Sequence, residues 1–233
     1  MLLVISGEGN TDVGAISEQD FKPGPMTCFV DQLLKAKTRF SFMETDSVRA
    51  VHKKSLEKKA KELKSVTKRG KKTSQETRYF YKNARALARM AQDHSNKEER
   101  SAMAVLFRDA DTAASGGRGV WIDKFNSMLA GFKDENFDMG VPMLPKPTSE
   151  AWILCALRNK YMQCEGIEQE SASRKSPKFL KNQLKDFLGV EVTRVLLVEK
   201  IEAGEIKAAQ IDMPSMEAFK HRCYEVLKNM PKF

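Results

Sequence analysis

Two short apolar runs in this chain stop abruptly in carboxylate. Leu2-Leu3-Val4-Ile5-Ser6-Gly7 leads into Glu8, and Ala104-Val105-Leu106-Phe107-Arg108 leads into Asp109 and, two residues on, Asp111. Compact apolar runs of this kind read as buried parallel strands that deliver their acids to one edge of a sheet. In open α/β sheets the carboxyl edge is where ligands bind. Carboxylates gathered there repel one another unless positive charge lies among them. Mg²⁺ meets that need, because it takes hard oxygen ligands and accepts phosphate as a co-ligand.

Several classes of protein fall away on composition. No segment approaches the roughly 18 apolar residues of a membrane span. The N-terminal apolar stretch is too short for a signal peptide and is cut by a glutamate, so a cytoplasmic protein is expected. Cys28, Cys155, Cys164 and Cys223 show no C-x-x-C spacing, and His52, His94 and His221 lie far apart. Reduced, mostly buried thiols are therefore expected, rather than a disulfide framework or a zinc site. No H-E-x-x-H, G-x-S-x-G or Walker A pattern occurs.

The net charge is +9, and it is concentrated. Residues 46–82 hold thirteen Lys or Arg against four acids, which is the whole excess. A local basic surface attracts polyanions by counterion release. A solvated helix face explains the same composition.

Periodicity outlines the remaining elements. A helix is expected over 27–37 after the Lys22-Pro23-Gly24-Pro25 break. A basic helix from Ser47 to about Lys68 has a narrow stripe of Leu56, Ala60, Leu63 and Val66. A second helix from Gln75 has a firmer stripe of Phe80, Ala84, Leu87, Ala88 and Ala91. Together they read as an inserted basic helical hairpin, residues 47–98, forming an arm or cap. After the strand at 101–108, a helix should bury Trp121, Phe125, Met128, Leu129 and Phe132. A third strand at 138–144 is halted by Pro145 and Pro147. Thr148 or Ser149 then caps a helix with Glu150 in its first turn. Two amphipathic helices follow, around Leu180 to Phe187 and Met216 to Met230. The expected class is α/β with a mostly parallel, Rossmann-like sheet over residues 1–160 and a helical C-terminal extension over 161–233.

Strand–Glu8, crossover, strand–Asp109-x-Asp111 resembles the Toprim domain, over roughly residues 1–160. Glu8-Gly9-Asn10-Thr11-Asp12 is similar to the glutamate turn of stand-alone and overcoming-lysogenization-defect (OLD) family Toprim proteins. In that turn a second acid four residues on serves another metal. Ser149-Glu150-Ala151-Trp152 is similar to the acidic helix start after their third strand. The resemblance implies a Mg²⁺- or Mn²⁺-dependent nuclease using one or two ions. It further implies an effector of a bacterial antiviral or toxin system working with an ATPase partner.

Candidate metal ligands are Glu8, Asp12, Asp109, Asp111 and Glu150; Glu8, Asp109 and Asp111 with Lys146 make the catalytic set. Phosphodiester attack needs charge neutralisation and a stabilised leaving oxygen, which bound divalent ions supply. None of Tyr79, Tyr81, Tyr161 and Tyr224 lies in a nucleophile motif, so water is the expected nucleophile. Lys53, Lys54, Lys58, Lys61, Lys68, Arg69, Lys71, Lys72 and Arg118 are the candidates for holding the nucleic-acid backbone. DNA is placed ahead of RNA, although the acids treat both phosphates alike. Arg108 is positioned to pair with Asp109 and lower its pKa, and a homo-oligomer is compatible with the chain. The alternatives are a non-catalytic nucleic-acid-binding or regulatory Toprim protein and a small-molecule phosphotransfer enzyme with a basic lid.

Overall fold

The computed structural model of the chain describes residues 1–16, 21–63, 75–110, 120–158, 160–170, 173, 176 and 178–229. Four strands form one sheet in the order β4-β1-β5-β6: β1 Leu2–Ser6, β4 Val48–Val51, β5 Ala102–Phe107 and β6 Gly140–Met143. Every pairing in it is parallel. A separate antiparallel ribbon joins β2 Gly14–Ile16 to β3 Phe21–Pro23. The class is α/β, as expected.

Both faces of the sheet are covered, which is why β1 and β5 carry no polar alternation. Leu2 and Val4 of β1, with Ala102, Ala104 and Leu106 of β5, face a layer built from α2 Lys53–Glu62, α3 Gln75–Glu98 and α4 Trp121–Asp134. Met1, Leu3 and Ile5, with Met103, Val105 and Phe107, face the opposite layer. That layer holds α1 Pro25–Thr38, α5 Ser149–Arg158 and α8 Pro214–Asn229, joined by α6 Leu180–Leu188 and α7 Arg194–Glu202. Trp152 of α5 stacks on Phe219 of α8, ring centroids 5.9 Å apart, and its indole N–H donates to Ser215 at 2.9 Å. The C-terminal helices thus share one apolar cluster with the sheet.

The basic segment differs from its sequence reading. Residues 48–51 are a strand of the main sheet, and the first helix starts only at Lys53. Val48-Arg49-Ala50-Val51 is too short for periodicity to separate it from the helix that follows. The two helices are no free arm, for Leu56, Phe80, Ala84, Leu87, Ala88 and Ala91 are all buried in the sheet-covering layer. Gly131 of α4 permits the closest approach of α3, since a Cβ there would meet the Tyr81 carbonyl at 2.4 Å. Glu135, 2 % exposed, receives both Arg85 and Arg89 of α3 and locks α4 against it.

β6 is an edge strand, which accommodates Pro142 in its interior. Arg222 of α8 donates to the Gly140 and Asp138 carbonyls beside it, at 2.9 and 2.6 Å. The thiol expectation is corrected in one respect: Cys155 and Cys164 form a disulfide, while Cys28 and Cys223 are free and buried as anticipated. Their spacing follows no motif because the contact is tertiary, between the end of α5 and the 3₁₀ turn at Glu165–Gln169. Among the described residues no helix is long and apolar enough to cross a membrane.

Two outcomes follow from this packing. Glu135→Ala strips two arginines of their shared buried acid and should cost about 3 kcal/mol in urea denaturation. Alkylation under denaturing, non-reducing conditions should label Cys28 and Cys223 and leave the Cys155–Cys164 pair unmodified, read by mass spectrometry.

Candidate acidic site at the carboxyl edge of the sheet

Parallel pairing in register from Leu2↔Ala102 to Ser6↔Leu106 brings the ends of β1 and β5 to the same edge. The β5 end stays straight beyond its last strand residue, because the Arg108 N–H donates to Met143 O and the Ala110 N–H to Pro145 O, both at 3.0 Å. Lys124 of α4, buried, clamps the Ala110 carbonyl at 2.6 Å. Continued alternation then turns Arg108 and Asp109 to opposite faces.

Four sequence-predicted acids meet here: Glu8, Asp12, Asp109 and Glu150, all half-buried. Asp12 is set by the start of α1, where its carbonyl accepts the Met26 N–H at 2.9 Å. Gly24 makes that approach possible, for a Cβ there would meet the Asp12 carbonyl oxygen at 2.3 Å. Asp109 Oδ1 accepts the Ser149 N–H at 2.8 Å, a carboxylate at the N-terminus of α5. Glu8 in turn accepts the backbone N–H of Asp109. A chain of carboxylate-to-backbone bonds therefore ties β1, β5 and α5 together.

The acids feel one another. Burial pushes the Asp109 carboxyl well above the usual range, and the charges of Glu150, Asp12 and Glu8 push it further, against the Ser149 N–H. Asp12 is raised to about 6 by burial and by Glu150, with Lys181 and the Thr11 hydroxyl opposing and Glu8 adding. Glu8 is raised by burial, opposed by Arg108, Lys53 and the Asp109 N–H. Asp12 and Asp109, each raised by burial and by neighbouring acid charge, have the electrostatics of a cation site. An all-oxygen donor set with no thiol or imidazole fits a hard ion such as Mg²⁺. The buried Oε1 of Glu8 has no hydrogen-bond partner, which fits a ligand role for it. Among the described residues no group of three or more His, Cys, Asp or Glu is already gathered to hold an ion. Asp111 lies outside the described residues, as do Lys68, Arg69, Lys71, Lys72 and Arg118.

The cations are distributed differently from the sequence reading. The Arg108 charge acts on Glu8, and Asp109 gains nothing from it. Lys146 faces Glu168, Nζ 4.0 Å from Oε2, and does not figure among the charges acting on the acids. Lys181 of α6, 3.5 Å from Glu150 and felt by Asp12, was missed. No local signal marks it, since it arrives from a helix thirty residues downstream by tertiary packing. Lys53 starts α2 beside Glu8, while Lys54, Lys58 and Lys61 are exposed along the outer side of that helix. A cavity of about 830 Å³ lies elsewhere, between α1, β3, β4 and α7, with Asp31, Glu44 and Glu202 in its lining.

No family model, curated protein or solved structure matches the chain.

The raised Asp12 carboxyl carries a stability signature. Between the unfolded value of 3.8 and about 6 the native state holds a proton that the unfolded chain has released. Stability therefore falls as pH rises through that window and levels off above it. Asp12→Asn should stabilise the protein at pH 7, by about 3 kcal/mol at most, and leave it unchanged well below pH 4, in urea titrations at the two pH values.

Proposed function

We propose that the protein is a Mg²⁺- or Mn²⁺-dependent nuclease of Toprim type that hydrolyses nucleic-acid phosphodiester bonds. The observation that carries the reading is the arrival of Glu8, Asp12, Asp109 and Glu150 at one carboxyl edge of a parallel sheet, near enough for the charges of the other three to act on Asp109. These four would hold the divalent ion, and Asp111, two residues beyond Asp109, is a further candidate ligand. Bound there, the ion supplies charge neutralisation at the phosphate and stabilisation of the leaving oxygen.

The chain's own residues divide the rest of the task. Asp109 is oriented by the Ser149 N–H and Glu8 by the Asp109 N–H, so both carboxylates are held before substrate arrives. A cation bound among the raised acids would offset their burial and mutual repulsion and lower their proton affinity, so its binding would be coupled to proton release. Exposed Lys54, Lys58 and Lys61 give a backbone-holding surface on the α2 side of the edge, without sequence information. Association with an ATPase partner in an antiviral or toxin system belongs to the same proposal and rests on the family resemblance alone.

A second reading, nucleic-acid binding without hydrolysis, is favoured by the lack of a ready ligand group among the described residues. Plasmid, single-stranded DNA and RNA incubated with purified protein and Mg²⁺ or Mn²⁺ separate the two. Cutting should appear, and Glu8→Gln or Asp109→Asn should lower it on the order of a hundredfold with unfolding curves retained. Retained cutting in both variants defeats the nuclease proposal. Binding with no cutting under either metal transfers the conclusion to the second reading.

A further inference from the structure

Buried polar groups almost always find partners, so the exceptions are informative. Much of this molecule obeys the rule closely. Buried Asp31 takes the Ser41 hydroxyl and the Phe42 N–H at 2.8 and 2.6 Å, and buried Lys220 donates to the Ala209 and Ile211 carbonyls at 3.0 and 2.9 Å. Among the described residues the buried side-chain atoms without a partner are Glu8 Oε1, Tyr79 Oη, Arg108 Nε and Nη2, and Thr148 Oγ1. Glu8 follows β1, Arg108 follows β5 and Thr148 precedes α5, which places three of these residues at the carboxyl edge. Tyr79, on α3, joins them through its ring, 5.8 Å from the Arg108 guanidinium.

Arg108 is the most exceptional of the set. It is fully buried, and one nitrogen, Nη1, is spent on the Phe107 carbonyl at 2.7 Å. The two nitrogens left over, Nε and Nη2, form the flat edge whose parallel N–H groups match a pair of oxyanion oxygens. Arg49 shows the same edge at work in this chain, gripping the two Glu98 oxygens at 2.8 and 2.7 Å. The nearby acid, Glu8, does not satisfy Arg108, for its own Oε1 is also unpartnered. Tyr79, whose ring the Arg108 guanidinium overlies, has a buried hydroxyl that is likewise unpartnered and able to donate.

We infer that Arg108, with Tyr79 packed against it, is an oxyanion-binding site that takes two oxygens of a substrate phosphate at the sheet edge. The identity of the anion as a nucleic-acid phosphate rests on the proposed function; the bidentate site itself does not. Anchoring Nη1 to the backbone fixes the plane of the guanidinium, so little freedom remains to be lost on binding. Charge complementarity runs in the same direction. Glu8 competes with any anion for Arg108, and a cation held by the acids would remove that competition. A lysine cannot replace the group, since a single ammonium offers no parallel pair of donors.

The test is titration with inorganic phosphate in EDTA, followed by ³¹P line width and calorimetry. Wild type should bind saturably in the millimolar range. Arg108→Lys should weaken binding roughly tenfold or more, and Tyr79→Phe several-fold. Glu8→Gln should tighten it, the opposite of its expected effect on cutting, because the competing carboxylate is gone. Lys228→Gln, a change at the exposed end of α8, should leave it unaltered. Should Arg108→Lys fail to fold, the Tyr79→Phe and Glu8→Gln results decide, since each removes little volume. A wild type that does not saturate overturns the inference, and so does binding that is equal in all variants, which would mean an adventitious ion only. Because no metal is present, failure of cutting leaves this result untouched, and failure of phosphate binding leaves the metal site to its own test.

Discussion

Parallel pairing of β1 with β5, in register over five residues at the centre of a doubly covered sheet, is the constraint from which the rest of the structure follows. Neither strand has a solvent face, so each ends where its burial ends, and the first residues able to meet water are polar. Parallel direction means that both ends fall on one side of the sheet. The clustering of Glu8 and Asp109 is thus a consequence of topology, as is the arrival of α5 over the same edge after β6. Repulsion among the acids is then an unavoidable cost of the arrangement, and the backbone N–H groups of Asp109 and Ser149 offset only part of it.

How far the sequence revealed this depends on the range of the interactions involved. β1 and β5 were legible because burial on both faces leaves an unbroken apolar run, β6 because Pro145 and Pro147 mark its end, and α3 because its stripe repeats over three turns. Glu8, Asp12, Asp109 and Glu150 were legible because each lies within a few residues of such a run. β4 was not, since four residues cannot display a period, and its identity as a strand depends on pairing with β1. The Cys155–Cys164 contact was hidden because it depends on how the chain reverses after α5, and Lys181 because it reaches Glu150 from α6. Arg108 was placed beside Asp109 by adjacency in sequence, yet strand alternation sends the two side chains to opposite faces.

That alternation gives the edge two sides of different character. Asp12, Asp109 and Glu150 form the side beneath α5 and α6, with Lys181 as the cation that reaches it. Arg108, Tyr79 and Lys53 form the side beneath α2 and α3, and Glu8 is the acid that interacts with both groups. A ligand spanning the edge would meet negative charge on one side and positive charge on the other.

The helical layers make the division durable. Lys124 holds the Ala110 carbonyl from α4, and Trp121 of the same helix donates to the Leu144 carbonyl at 2.8 Å, so the loops after β5 and β6 are both fastened from the α3–α4 side. On the other side the loop after β1 is fastened to α1, through the Met26 N–H on Asp12 and the Thr27 hydroxyl on the Val13 carbonyl at 2.6 Å. The loop after β1 is thus fastened to α1 and the loops after β5 and β6 to α4, and Lys124 is the charged member of those bonds. Charge at the edge can change, by protonation or by binding a cation, without releasing the backbone bonds that place the carboxylates. A site built this way can carry strong internal repulsion and still keep its shape, which is the physical requirement for holding acids in wait of a positive partner.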